Sequence, residues 1–579
     1  MSRDDELHIR PGRIRSKTPG RAKSFIARVL TATQKAGGLH RSGAHGKGRG
    51  AFGRGRAASL GALRGLSSRS RHVVVKARVV RHGAKVAPLS THLAYLRRDG
   101  VTRDGAPGRL FDAAGEDADA RSFGERCGGD RHHFRFIVSP DDATELSDLR
   151  TFTRDLMSEM ARDLGTSIDW VAVDHWNTEH PHVHVLVRGQ ADDGGDLVIS
   201  RDYISRGLRA RAVQLVTLEL GPRSEQEIRR TLERQVDAER WTPFDRMLTR
   251  EAASHDGVID LRPGADPAHD TERAMLVARS RKLERLGLAA PIGPGQWIMS
   301  ENAEPTLRAL GERGDIIKRI HRGLSERGVD RSAADFVLDS ERRAEPVVGR
   351  LVSRGLDDEL KGSAYAIIDG VDGRAHHVRL ADLDGTSDAA PGAIVEVRLI
   401  ETRDSKQSRL VIAVRSDLAL EEQVQAPGAT WLDRRLVAKE AMPLSEGGFG
   451  REVSDALEAR AEHLVAEGLA RGQGQRVVFA RDLLDTLRRR ELDIAGARIA
   501  TETGLPRHTA AEGETVAGVY RQRVTLASGR FAIIDDGLGF QLVPWSPSLE
   551  KEIGKHVSGV VSPGGGVDWS FGRRRGIGI

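Results

Sequence analysis

The chain has 579 residues, a formal net charge of +7 and an apolar content of 39%, which is enough for several hydrophobic cores. Cys127 is the only cysteine, so disulfides within the chain and a cysteine-rich metal site are excluded. No apolar run approaches the ~18 residues of a membrane span, and the N-terminus lacks the apolar core of a signal peptide. We therefore expect a cytoplasmic protein of several domains.

The positive charge is concentrated near the N-terminus. Between Leu7 and Arg98 there are 22 Lys and Arg residues and no Asp or Glu, so the rest of the chain is acidic overall. Residues 1–71 are rich in Gly, Arg and Ser and show no hydrophobic period, which predicts a disordered basic arm. Such an arm suits a polyanion such as DNA, because each neutralised phosphate releases counterions. A solvated tail or a targeting signal is the alternative.

A first folded domain is predicted over residues 72–222. The β-branched runs at 71–83 and 130–140 indicate strands. A short helix is predicted to end at Arg98, and residues 141–165 repeat apolar side chains at helical spacing. Two more strands, "SIDWVAVDHW" and "HVHVLVRG", are joined by "NTEHP" and can pair as an antiparallel hairpin. This order predicts an α+β fold in which helices pack on an antiparallel sheet.

Four histidines crowd this hairpin. Residues two apart in a strand share a face, so His182 and His184 are predicted to point the same way. The short turn brings His175 back beside them, whereas His180 lies in the turn before Pro181. Three imidazoles that converge from paired strands form a facial set of three nitrogens, which predicts a metal site with open positions for water or substrate. Hydrogen-bonded core histidines are the alternative.

The stretch "HWNTEHPHVHV" resembles the three-histidine motif of the conjugative relaxases, the HUH-type nucleases that nick plasmid DNA at an origin of transfer. It is most similar to the plasmid-mobilisation and tumour-inducing branch, whose pattern is His-x-Asp, a short spacer and His-x-His. "HLAYLRRDG" resembles the motif of that branch that carries the nucleophilic tyrosine, here Tyr95. The remainder, including "WTPFDRMLT", "GERGDIIK" and "DDGLGFQLVPW", is similar to relaxases with a long C-terminal region of unknown function.

The resemblance implies that Tyr95 attacks a phosphodiester of single-stranded DNA at an origin of transfer and forms a 5′-phosphotyrosyl link, which the same residue can later exchange to rejoin the strand. It implies a divalent cation, Mg²⁺ or Mn²⁺, held by His175, His182 and His184, although three imidazoles suit Zn²⁺ or Mn²⁺ better than Mg²⁺. It also implies a cytoplasmic enzyme of a bacterial donor cell, its export with the DNA, and two kinds of partner: accessory relaxosome proteins and a type IV secretion coupling protein.

One position departs from the branch pattern. Asn177 stands where the branch prefers Asp, and Asp174 and Glu179 are the candidates to replace it as the group that orients an imidazole. His175 is interpreted as a metal ligand, with a role as base for the tyrosine as the alternative. His133, on the second predicted strand, is a candidate for a place beside the ligands, with a packed core histidine as the alternative.

Two further groups of residues near these motifs are candidates for contacts with DNA. The arginines are expected to bind phosphates, with plain solvation as the alternative; they are Arg97, Arg98, Arg103 and Arg188. Tyr203 is the only rival nucleophile near the histidines, but its segment "SRDYISRGLRARAVQL" is typical of a basic helix. This favours packing or a contact with the DNA backbone over catalysis.

Beyond residue 222 the sequence predicts four more segments. Residues 223–342 are interpreted as a connecting helix and a winged-helix-like domain, whose helix includes the basic "RSRKLERLG". "SAYAIIDG" and "GRFAIIDD" match each other and lie among short β-like runs. They predict two small β-barrel-like modules, at 343–415 and 516–579, separated by a helical segment at 416–515.

Three classes of function compete. The first is a relaxase that nicks and rejoins single-stranded DNA. The second is a rolling-circle initiator or transposase with the same chemistry; the basic arm and the long C-terminus favour DNA transfer, and the sequence lacks the helicase P-loop of some initiators. The third is a non-catalytic DNA-binding protein, or a hydrolase that activates water at the same histidines, for which Tyr95 is not needed.

Overall fold

The computed structural model describes residues 53–82, 89–97, 101–176, 180–263, 270–338, 346–358, 362–401, 408–474, 476–563 and 565–570. It divides into two compact units, Met1–Gly311 and Glu312–Ile579. The helices are α1 (Arg56–Arg64), α2 (Leu89–Leu96), α3 (Ala120–Arg126), α4 (Leu149–Leu164), α5 (Leu208–Leu220, preceded by a π-helical turn at Tyr203–Gly207), α6 (Glu225–Asp237), α7 (Pro243–Ser254), α8 (Asp270–Arg285), α9 (Ala303–Ser325), α10 (Leu420–Val424), α11 (Trp431–Leu436), α12 (Gly448–Ala466) and α13 (Leu483–Thr503).

The strands are β1 (Val73–Arg81), β2 (His132–Pro140), β3 (Trp170–His175), β4 (His182–Arg188), β5 (Val258–Asp260), β6 (Ala289–Gly293), β7 (Gln296–Met299), β8 (Phe336–Val337), β9 (Val348–Asp358), β10 (Ser363–Gly370), β11 (Ala375–Leu380), β12 (Ile394–Glu401), β13 (Ser408–Ser416), β14 (Ala470–Gln473), β15 (Arg476–Phe479), β16 (Arg507–His508), β17 (Thr515–Leu526), β18 (Gly529–Asp535), β19 (Phe540–Pro544), β20 (His556–Val561) and β21 (Val567–Ser570).

A four-stranded antiparallel sheet in the order β1-β2-β4-β3 organises the N-terminal domain. One face packs on α1, α4 and α5 through a core that includes Phe134, Phe136, Phe152 and Leu156. The opposite face packs on α2 and α3 through Leu93, Leu96, Phe123, Val173 and Leu186. The expectation of an α+β fold with helices on an antiparallel sheet is therefore confirmed. The core is layered because alternate strand residues point to opposite faces.

Helix α4 is shorter than the sequence predicted, and α3 was missed. The side chain of Asp148 accepts hydrogen bonds from the backbone N–H groups of Arg150 and Thr151, so α4 begins after Asp148 rather than at 141. Gly165, at φ 62°, ends it in the left-handed conformation that glycine adopts without steric cost. Helix α3 is only seven residues long, which is too short for a helical period to show in the sequence.

The predicted basic arm ends earlier than residue 71. Residues 1–52 lie outside the described residues, but Arg56–Arg64 form α1, which packs against α5 and the π-helical turn before it. Ala62 is fully buried, and Ala58 and Leu66 pack against the same core. Ala58 and Ala62 are spaced by four residues and so share one face of α1, and Leu66 follows just after the helix ends. The abundance of Gly and Arg around them concealed this short apolar period.

The C-terminal half of the chain contains two six-stranded sheets with the same layout. The first has the order β8-β11-β10-β9-β12-β13 and the second the order β16-β19-β18-β17-β20-β21. In each sheet the first strand pairs in parallel and every other pair is antiparallel. The matching runs "SAYAIIDG" and "GRFAIIDD" fall on β10 and β18, which occupy equivalent positions in the two sheets.

The three-stranded sheet between α7 and α9 has the order β5-β7-β6. Its core joins Leu248 of α7 and Leu283 of α8 to Trp297 of β7.

Across the described residues, we find no helix whose length and apolar character would let it traverse a bilayer.

Candidate metal centre

The hairpin of β3 and β4 brings three histidines together. His175 lies directly opposite His182 in the register of the two strands, and Val173 lies opposite His184. Cross-strand partners share a face, so all three rings lie on the face covered by α2 and α3. All three are buried, with exposed fractions of 7% or less. One potential ligand atom from each ring lies within 4.8 Å of the others.

Backbone carbonyls fix the tautomer of two of these rings. Nδ1 of His182 donates to the carbonyl of His180 over 2.9 Å, so the lone pair of the ring is on Nε2. Nε2 of His175 donates to the carbonyl of Leu96 over 2.9 Å, so its lone pair is on Nδ1. Metal-binding histidines commonly donate their second ring N–H to a backbone carbonyl in this way, which fixes the tautomer.

The spacing of the rings fits a cation. Nε2 of His182 and Nε2 of His184 are 3.2 Å apart. Two nitrogens that each lie ~2.1 Å from one metal ion are separated by roughly 3.0–3.4 Å, depending on whether the geometry is octahedral or tetrahedral. Three neutral imidazoles are also a donor set that Zn²⁺ and Mn²⁺ accept readily. The residues present therefore suit a divalent metal.

Helix α2 brings Tyr95 to the same region. The carbonyl that His175 contacts belongs to Leu96, the residue after Tyr95. Tyr95 is half-buried and packs against the core between α2 and α3. His92, one turn earlier on the same helix, is buried with 8% of its surface exposed. His92 was not among the predicted site residues, although the spacing His-x-x-Tyr within a predicted helix places both residues on one face.

Asp174, the described candidate to orient an imidazole, does not lie at the trio. It directly precedes His175 on β3 and therefore points to the other face. Its carboxylate accepts from Arg150 Nε at 2.9 Å and from Trp176 Nε1 at 2.7 Å. Asn177 and Glu179 lie outside the described residues. For His175 and His182, backbone carbonyls provide the orienting contact that was expected from side chains.

His133 belongs to a different cluster. It is four residues from Ile137, the residue opposite His184, which places it about 13 Å along the strand. Its Nδ1 lies 2.7 Å from Nε2 of His82, and its Nε2 accepts from Arg135 over 3.0 Å. Burial and the nearby Arg135 lower the pKa of His133 to about 3. Strand position therefore separates His133 from the histidine trio, which favours the alternative of a packed histidine in a separate cluster.

The predicted DNA-binding arginines have different surroundings. Arg103 stacks over the ring of Trp176, the residue after His175, at 4.9 Å, and Arg97 is exposed at the end of α2. Arg188 lies at the far end of β4 and forms two hydrogen bonds with the carboxylate of Asp130, which also raises the pKa of Arg188. Arg98 lies outside the described residues.

Tyr203 is buried in the π-helical turn before α5. Its hydroxyl donates to the carboxylate of Asp163 over 2.9 Å, and burial raises its pKa well above the usual value for tyrosine. A phenol that ionises less readily is a poorer nucleophile. This geometry agrees with the packing role favoured from the sequence.

A row of basic side chains on the histidine face was missed. Lys76 and Arg78 alternate along β1, and both are exposed. In the sheet register, Lys76 is opposite Ile137, which is opposite His184, while Arg78 is opposite Arg135. Two strand spacings place Lys76 about 10 Å from His184 across the sheet. Burial and the neighbouring Arg78 lower the pKa of Arg135 to about 10.

Comparison with known proteins bears on the C-terminal half of the chain. Residues 276–408 and 399–578 match the model of one family, described as a protein of unknown function (DUF3363). Together they run from residue 276 to residue 578, which is more than half of the chain. No curated protein and no solved structure matches the chain. The matched segments lie C-terminal to the histidine trio.

Proposed function

The chain belongs to the DUF3363 family of unknown function, and since that family assigns no chemistry, we propose a function from the site: a relaxase. In this proposal the protein nicks and rejoins single-stranded DNA at an origin of transfer through a covalent tyrosyl intermediate. It acts in the cytoplasm of a donor cell, with accessory relaxosome proteins and a type IV secretion coupling protein as partners.

The observation that carries the proposal is the buried trio of His175, His182 and His184, hydrogen-bonded to the turn of helix that holds Tyr95. A hydrolase that activates water needs the imidazoles but no tyrosine. A buried structural trio needs neither a fixed lone pair on two of its rings nor a tyrosine on the helix that His175 contacts. The conjunction of the two features favours a tyrosine nucleophile at a metal-bound phosphate.

The chemistry divides between the cation and the protein. A divalent ion held by the three histidines would polarise the scissile phosphate and offset the negative charge that develops on it. The phenol oxygen of Tyr95 forms a bond to phosphorus as the bond to the 3′ oxygen of the preceding nucleotide breaks. The phenolic proton is released, and the departing 3′ oxygen takes up a proton. The product is a 5′-phosphotyrosyl link and a free 3′-hydroxyl, and the reverse reaction rejoins a strand.

The basic row supports the choice of substrate. Lys76 and Arg78 are exposed on the histidine face, and Arg103 stands over Trp176 next to His175. Cations in these positions are suited to hold phosphates on either side of the scissile one. In this proposal Lys76, Arg78 and Arg103 replace Arg188 as DNA-binding residues, because Arg188 is occupied by Asp130.

The test is formation of a covalent adduct. The full chain is incubated with Mn²⁺ and 3′-labelled single strands that tile the DNA flanking its own gene, and the products are separated under denaturing conditions. We expect label to stay with the protein, and peptide mass spectrometry to find it on Tyr95. Tyr95→Phe should abolish the adduct but keep DNA binding, and chelation or His182→Ala should abolish nicking.

His180→Ala is the matched control, because this histidine is exposed in the same hairpin and contributes its backbone carbonyl, which the substitution retains. It should nick and form adduct as the wild type does. Nicking that persists in Tyr95→Phe without any adduct would instead assign the site to a water-activating hydrolase. Full activity in chelator would remove the metal from the proposal.

A further inference from the structure

The chain beyond residue 222 contains a duplicated helical unit as well as duplicated sheets. The sequence Thr-x-x-Asp opens α7 at Thr242 and α11 at Thr430. In both helices the Thr N–H and hydroxyl donate to the carboxylate of the following Asp, over 2.7 and 2.8 Å in each copy. The likeness of the two copies therefore extends to individual hydrogen bonds.

A buried arginine repeats in the same way. Arg279 of α8 forms two bonds to the carboxylate of Asp245, and Arg460 of α12 forms two to that of Asp433; all four side chains are fully buried. Each arginine also donates to three carbonyls spaced by two residues, which are those of Val236, Ala238 and Arg240 in the first copy and of Val424, Ala426 and Gly428 in the second.

Each copy then continues with a β-hairpin and a long helix. Strands β6 and β7 precede α9 in the first copy, and β14 and β15 precede α13 in the second. The two hairpins therefore occupy equivalent positions in the two copies, although β7 also pairs with β5 and β14–β15 form a two-stranded sheet.

The hairpins differ in charge. The first, "AAPIGPGQWIM" at 289–299, carries no charged residue. The second, "ARGQGQRVVFA" at 470–480, carries Arg471 and Arg476 and no acid, and Arg481 follows it directly. All three arginines are exposed.

The strand register places two of these arginines on one face. Arg471 is opposite Val478, and Gln473 is opposite Arg476. The other face carries Ala470 and Phe479, which contact the core of the unit. The outward face is therefore composed of two guanidinium groups, an amide and an exposed valine. This face carries no carboxylate that could neutralise the two guanidinium groups.

We propose that the β14–β15 hairpin is a second nucleic-acid site, distinct from the histidine domain, and that its ligand is double-stranded DNA. Arginines at both ends of a short hairpin can straddle a groove and contact the phosphates that flank it. The exposed Val478 offers an apolar contact between them. Binding of single strands relies on aromatic side chains that stack on bases, and the only aromatic residue of this hairpin, Phe479, faces the core.

The test compares two probes on the full chain, a 30-bp mixed-sequence duplex and a 30-nucleotide single strand, by fluorescence anisotropy over a range of salt concentrations. In the triple variant Arg471→Gln, Arg476→Gln, Arg481→Gln, we expect duplex affinity to fall by about tenfold or more. The slope of log affinity against log salt should decrease in magnitude by about 2–3, since each phosphate contact contributes about 0.9. Affinity for the single strand should stay at the wild-type value.

The charge-matched control removes three exposed arginines elsewhere in the C-terminal half: Arg313→Gln, Arg374→Gln, Arg409→Gln. It should bind the duplex nearly as the wild type does. A triple Arg→Lys variant of the hairpin keeps the charge and should retain most of the duplex affinity, which separates loss of contact from loss of fold. An unchanged duplex salt slope in the Gln variant, an equal loss in the control, or an equal loss for the single strand would each overturn the proposal. Tyr95→Phe should not alter duplex binding, so this result is independent of the nicking test.

Discussion

Replacing the buried arginine of the second helical unit tests how that unit is held together. Arg460 donates five hydrogen bonds of 2.8–3.1 Å: two to the carboxylate of Asp433 and three to backbone carbonyls. Both members of the ion pair are fully buried. Arg460→Met keeps an unbranched apolar stem but removes the guanidinium group, which leaves the Asp433 charge without its partner.

The expected cost follows from that burial. Removing one partner of a buried ion pair costs about 3–5 kcal/mol, because the remaining charge is left without compensation. At roughly 2–4 °C per kcal/mol for a unit of this size, the melting temperature of the C-terminal unit should fall by about 6–20 °C. The double variant Arg460→Met with Asp433→Leu should recover part of the loss, since an apolar replacement removes both charges.

Differential scanning calorimetry of the full chain would measure this effect. Arg451→Met is the matched control on α12, because Arg451 forms an exposed pair with Asp455; such pairs contribute about 0–1 kcal/mol. The reasoning would be refuted if Arg460→Met lowered the free energy of unfolding by less than about 1 kcal/mol. An equal decrease in Arg451→Met would also contradict a stabilising role that is specific to the buried Arg460.

Three more predictions concern the N-terminal domain. Mn²⁺ at about 100 times its Kd should stabilise the domain by about 2.7 kcal/mol, and a thermal-shift assay should find no such gain in His182→Ala. The pKa of folded His133 is about 3, below the ~6.5 of an unfolded histidine. Between these two pH values the unfolded chain therefore binds more protons than the folded chain. As a result, the free energy of unfolding falls as the pH drops through this window. Urea unfolding from pH 7 to pH 5 should therefore cost the wild type about 2 kcal/mol more than His133→Gln, and equal losses would contradict the assignment. Lys76→Ala with Arg78→Ala should weaken single-strand binding about tenfold and reduce its salt slope by about 1.4. Arg56→Ala with Arg162→Ala, at exposed sites on α1 and α4 over the opposite face of the sheet, should not.

The strands of the N-terminal domain were predictable because their signal is local. Alternation places His182 and His184 on one face whatever the rest of the fold does, and a short turn returns His175 to them. The proximity of the three imidazole rings could therefore be predicted from the spacing of the histidines in the sequence. The same reasoning could have found Lys76 and Arg78, which alternate on β1, but their relation to the histidines depends on which strands are neighbours. Sequence order does not state that β2 pairs with both β1 and β4.

Other features depend on partners far away in the chain. Arg188 was expected at DNA, but it pairs with Asp130, fifty-eight residues earlier. The carbonyl of Leu96 orients His175, seventy-nine residues later. Because every residue has a backbone carbonyl, the sequence does not indicate which one makes this contact. The duplicated helical unit was overlooked because only Thr-x-x-Asp and one arginine identify it, whereas the repeated sheets share a run of matching letters.

His175 uses its two ring nitrogens for two different tasks, and this limits what can replace it. One nitrogen carries a proton toward the turn that ends α2, and the other keeps a lone pair. Turning the ring over would exchange the two atoms, so a single rotamer would serve both the helix and the proposed cation. A carboxylate in this position has two acceptors and no donor. It could still coordinate the proposed cation, but it would repel the carbonyl of Leu96. The helix that holds Tyr95, the proposed nucleophile, would then lose a contact while metal binding was retained.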